Sequence, residues 1–115
     1  MSDDNAIASP LVAGLTAPRF NSTGLANGTS GKICNADGSR ISLLISCRCT
    51  LLNGQIVDIR AGSNASAPII ASLTAGCNYI VLDVEKFGVL THYELWATAN
   101  GGDNTVAVTE VLRVR

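Results

Sequence analysis

The stretch Arg40-Ile41-Ser42-Leu43-Leu44-Ile45-Ser46-Cys47-Arg48-Cys49 decides the fold. In an extended chain Ile41, Leu43, Ile45, Cys47 and Cys49 fall on one face. Ser42, Ser46 and Arg48 fall on the other, with Leu44 as the exception. This is the period-2 pattern of a half-buried strand. Asn53-Gly54 follows and predicts a tight hairpin, because both central positions of a type I′ turn need positive φ. The next strand is expected over Gln55 to Arg60, with Val57 and Ile59 inward.

The same alternation continues toward the C-terminus. Pro68 to Leu73 reads as a short strand whose leading proline suits a strand start or a sheet edge. Asn78 to Glu85 places Ile80, Leu82 and Val84 on one side, against Tyr79, Asp83 and Glu85. Val81 falls on the polar side, where a second sheet or subunit could meet it. A turn is expected around Lys86-Phe87-Gly88, and then a strand over His92 to Thr98. After the loop Asn100 to Asn104, a last strand carries Val106, Val108, Leu112 and Val114 on one face, interrupted by Glu110, which reads as a bulge or an edge. Six short strands with Gly and Asn turns predict an all-β fold, a small antiparallel β-sandwich of jelly-roll type.

Upstream of Arg40 the periodicity breaks. Residues 1–39 carry Pro10, Pro18 and five glycines among Ser, Thr and Asn, with short apolar groups between them. Such a segment cannot alone bury enough apolar surface to offset its ordering entropy. It is expected to be an extended polar arm that orders on a partner, using Leu11, Val12, Leu15 and Phe20. Residues 40–115 then form the sandwich domain.

With 115 residues, one core is expected. The composition is 47% hydrophobic and 15% charged, apolar enough to suggest burial between subunits. Eight Lys and Arg against nine Asp and Glu give a net charge of -1, which supplies no field for a nucleic acid or an anionic membrane. No apolar run approaches the roughly 18–20 residues of a membrane span. The acidic start Met1-Ser2-Asp3-Asp4-Asn5 is unlike a secretory signal.

Candidate chemistry is sparse. Cys34, Cys47, Cys49 and Cys77 are expected as reduced thiols, since the Cys47/Cys49 pair lacks a second pair to complete a metal site. His92 has only Glu94 near it in sequence, and Asp83 with Glu85 reads as the solvated side of a strand. Gly101-Gly102 opens no helix and so builds no phosphate cradle. Three Asn-X-Ser/Thr matches, at Asn21, Asn27 and Asn64, reflect polar loops. No catalytic, cofactor-binding or metal-binding residue is assigned, and no enzyme activity is expected.

The stretch Asp58 to Leu73, containing Ile69-Ile70-Ala71-Ser72-Leu73, followed by Tyr79 to Val84 and Thr105 to Glu110, resembles small virion proteins of tailed bacteriophages. The resemblance is one of pattern over residues 40–115. Within that group the size, low charge and polar arm are similar to capsid decoration, or cement, proteins. It implies a non-enzymatic protein of the virion that is assembled in the host cytoplasm. There it would bind the outer surface of the capsid as a homo-oligomer, a trimer in particular, and stabilise contacts between major capsid protein subunits. The contrasting expectation is a receptor- or glycan-binding virion module using Trp96, Tyr79 and the loop Asn100 to Asn104.

Overall fold

A computed structural model of the chain describes residues 16–50 and 54–114. Eight strands run in chain order: β1 (Thr16–Leu25), β2 (Ser30–Cys34), β3 (Arg40–Cys47), β4 (Ile56–Ala61), β5 (Ile69–Leu73), β6 (Tyr79–Asp83), β7 (Leu95–Asn100) and β8 (Asn104–Arg113). A one-turn helix α1 (Val84–Phe87) and a 3-10 turn over Gly88–His92 fill the connection from β6 to β7. The strands form two four-stranded antiparallel sheets, ordered β1-β8-β3-β6 and β2-β7-β4-β5. Among the described strands only β4 and β5 are consecutive and share a sheet, so every other connection crosses between the sheets. That is the jelly-roll form of a β-sandwich.

Inward side chains from both sheets make one core. Leu43 and Ile45 of β3, Leu82 of β6 and Val106 and Val108 of β8 meet Val57 and Ile59 of β4, Leu73 of β5 and Leu95 of β7. Each full burial of such a side chain contributes about 1.5–3 kcal/mol. The small Ala97 and Ala99 on β7, both fully buried, let the sheets close on them.

Several expectations need correction. The sandwich takes in strands before Arg40: β1 and β2 are integral to it, with β1 paired to β8 along its whole length. Alternation was hidden in β1 because its inward residues Arg19, Asn21 and Thr23 are polar, while Pro18 and Phe20 face outward. Residues 1–15 of the expected arm, with Leu11, Val12 and Leu15, lie outside the described residues. The connection around Gly54 has the positive φ of 58° expected there, but it joins strands of different sheets, so it closes no hairpin; Asn53 lies outside the described residues. His92 ends the 3-10 turn instead of opening a strand. Glu110 is paired in register with Arg19 and Leu43 and is fully buried, so it is neither a bulge nor an edge; the register shift of the β3–β8 ladder lies on β3, between Arg40 and Ser42.

Candidate interaction face and the buried charge cluster

The polar interior of β1 has a specific cause. Glu110 projects from β8 into the sandwich between two arginines. Arg19 Nε and Nη2 donate to its two carboxylate oxygens at 3.0 and 2.8 Å, and Arg40 Nε donates at 2.8 Å. Asn21 Nδ2 donates to the same carboxylate. The remaining guanidinium donors of Arg40 go to the carbonyls of Thr91 and Tyr93, at 2.9 and 3.1 Å, and of Asn35. Arg40 is therefore fully buried with all its directions occupied. Arg19 also reaches Asp37 at 3.0 Å, whose other oxygen accepts from the Ser39 amide and hydroxyl.

These contacts set the titration of the cluster. Burial pushes the Glu110 carboxyl up, but the bonds from Arg19 and Arg40 more than reverse it, leaving it below the ordinary glutamate value. Hydrogen bonds from Ser39, with a smaller part from Arg19, hold Asp37 down to about 2. The cluster ties β1, β3, β8 and the 3-10 turn together. It leaves no free nucleophile or base.

The other sequence candidates do not converge. His92 ends the 3-10 turn, and Glu94 lies in the link before β7. Asp83 caps α1 by accepting from the Lys86 amide at 2.9 Å, and Glu85 lies within that helix. All four cysteines are free thiols: Cys34, Cys47 and Cys49 are buried, and Cys77 is exposed. Burial pushes Cys34 up to about 11 and Cys47 up to about 12. Among the described residues no group of three His, Cys, Asp or Glu side chains could hold a metal ion, and no helix is long and apolar enough to cross a membrane.

The two outer faces differ in kind. On the β2-β7-β4-β5 sheet, Trp96 stands between Lys32 and Arg60 in register, and its indole N–H donates to Glu94 at 2.7 Å. Arg60 bonds Thr98, and Asp58 accepts from Ser72 and Asn100. This face is charged and hydrogen-bonded to itself. On the β1-β8-β3-β6 sheet the register lines up Phe20, Thr109, Leu44 and Val81 across all four strands. The rows on either side are Pro18, Val111, Ser42 and Asp83, and then Ser22, Ala107, Ser46 and Tyr79. Phe20 is 72% exposed, Tyr79 56% and Val81 51%. Among the described residues charge appears only at the ends of this face, at Asp83 and Arg113 on one side and Arg48 on the other.

Phe20, expected in the arm, thus belongs to a sheet face. Leu44 and Val81, the two exceptions to their strands' alternation, are register partners at its centre. Tyr79 and Trp96 are on opposite faces, so these two do not form one joint platform.

No family model and no curated protein matches the chain. Among solved structures it is similar to the SPBc2 prophage-derived protein YomS, with a TM-score of 0.53 and 12% identity over 93% of this chain and 99% of that one. The likeness is one of fold. Weaker likenesses are to a structure of Bacillus endospore appendages, described as disulfide-linked pili (TM-score 0.49, 8% identity, 96% of this chain and 100% of that one), and to tomato aspermy virus (0.40, 10%, 96% and 88%).

Proposed function

We propose that the chain is a non-enzymatic structural protein of a virion, placed on the outer surface of a phage capsid, where it stabilises contacts between major capsid subunits. The observation that carries this reading is the uncharged face of the β1-β8-β3-β6 sheet. Its polar chemistry is spent internally on the Glu110 cluster, while β1, β3 and β6 present Phe20, Leu44, Val81 and Tyr79 outward. Exposed apolar area of this kind marks a surface that another protein covers. The fold shared with a prophage-derived protein supports a phage setting. In this reading the segment before Thr16, with Leu11, Val12 and Leu15, reaches the capsid, and several copies acting together turn weak contacts into firm retention.

The test is co-sedimentation of the purified protein with capsids that lack it, followed by heating of the loaded particles. Binding with a raised temperature of capsid disruption is expected. Capsids that neither take up the protein nor gain heat resistance overturn the capsid assignment.

A further inference from the structure

We infer that the uncharged face of the β1-β8-β3-β6 sheet is covered by the same face of a second copy of this chain, in a two-fold, sheet-on-sheet dimer. This inference rests on the reading of this face as one that another protein covers and names a second copy as the cover, which leaves the capsid contact to other parts of the chain.

The first argument is the layout of the face. Specific interfaces have a core depleted of charge and enriched in aromatic residues, inside a polar rim. Here the core rows hold Phe20, Leu44, Val81 and Tyr79 among Ser, Thr and Ala, and the charges Asp83, Arg113 and Arg48 stand at the ends of the strands. The opposite outer face has Lys32, Arg60 and Asp58 within its rows, so it lacks that layout.

The second argument is self-complementarity, which a two-fold contact demands because each residue's neighbour is fixed by the symmetry. A core without charge brings no like charges together. At the rim, Arg113 on β8 and Asp83 on β6 flank β3 near the same end of the sheet. The rim charges Asp83, Arg113 and Arg48 lie toward the strand ends, so a two-fold contact centred on the Phe20-Thr109-Leu44-Val81 row sets only uncharged residues against one another at its middle. A partner with a charged surface gains nothing comparable from the core rows.

The third argument is size. Four strands spaced about 4.8 Å apart, with about eight residues each at about 3.3 Å, give a face of roughly 19 by 26 Å, or about 500 Å². Two such faces remove about 1,000 Å², the lower bound for a specific contact, which predicts a reversible dimer. Sheets packed face to face in this way sit about 10 Å apart, close enough for Phe20, Leu44 and Val81 to interdigitate.

Sedimentation-velocity ultracentrifugation of the full chain tests this, at concentrations up to about 0.2 mM, well above the micromolar range. A concentration-dependent dimer is expected. Val81→Lys, an exposed substitution at the centre of the face, should weaken association at least tenfold, and Phe20→Ser should weaken it as well. Ile56→Lys, which alters a comparably exposed apolar residue on the other sheet, should leave it unchanged. Thermal melts by circular dichroism establish that each variant is folded. A wild-type chain that stays monomeric throughout overturns the inference, as does a folded Val81→Lys that dimerises as strongly as wild type. Should the chain be monomeric and Val81→Lys abolish capsid uptake, the face belongs to the capsid and the dimer is excluded.

Discussion

At the scale of single residues, the sandwich depends on one buried carboxylate. Glu110→Gln keeps the shape of the side chain but leaves the fully buried Arg40 without a counter-charge. Removing one partner of such a pair costs about 3–5 kcal/mol. Urea unfolding should register that loss, and a variant within about 0.5 kcal/mol of wild type, the usual range for a surface change, would contradict it. Arg40→Lys should also destabilise, because one ammonium cannot serve both Glu110 and the carbonyls of Asn35, Thr91 and Tyr93. The same cluster fixes the acid response. Glu110 and Asp37 both have folded pKa values below their unfolded ones. Their contribution is therefore complete above the unfolded values near 4 and disappears as pH falls through the folded ones, for Asp37 about 2. Thermal midpoints should be level from neutral pH to about pH 5 and fall between about pH 4 and 2, and Glu110→Gln should flatten part of that fall. Thr91 is the counterexample: its fully buried hydroxyl has no hydrogen-bond partner among the described residues. Thr91→Val, similar in shape, is expected to raise stability by about 1 kcal/mol, and a clear loss would show the hydroxyl to be satisfied.

At the scale of elements, the sequence was readable where inward residues are apolar and unreadable where they are not. β3 and β4 announce themselves through Leu43, Ile45, Val57 and Ile59, all buried as their spacing requires. β1 does not, because its inward Arg19 and Asn21 are chosen to bond Glu110, its buried Leu25 stands alone at the strand's end, and Phe20 faces out. The exceptions in the pattern were the informative part of the candidate face: Leu44 and Val81 break their strands' alternation because they line the outer surface together. What spacing along the chain cannot convey is that β8 brings Phe20 into the same row. The link between β4 and β5 makes a separate point about backbone. Gly62 has φ 152°, and a Cβ there would lie 2.6 Å from the Cβ of Ala67, closer than carbon atoms can approach. Gly62→Ala should therefore cost about 1–3 kcal/mol by forcing the loop aside, measurable as a lowered unfolding midpoint. A substitution without effect would mean that the β4–β5 loop shifts freely.

At the scale of the whole molecule, the position of β1 redefines which deletion separates fold from docking. Removing residues 1–15 leaves every described strand intact, whereas removing residues 1–30 takes away β1 and with it Arg19, one of the partners of Glu110. The shorter deletion should melt cooperatively near the wild-type temperature and the longer one should not fold, which dichroism melts of the two proteins will distinguish. Loss of cooperative melting in the shorter deletion would place part of the fold before Thr16. The order of strands in the β1-β8-β3-β6 sheet carries a further consequence, for synthesis. The strand nearest the C-terminus is an interior member of that sheet, with β1 on one side and β3 on the other. While the chain emerges from the ribosome, β1 therefore has no partner among the described strands of its own sheet until Asn104–Arg113 is free of the exit tunnel, and then one insertion completes both ladders. Nascent protein halted before that point should be sensitive to proteases, and resistance should appear abruptly when the final strand is released.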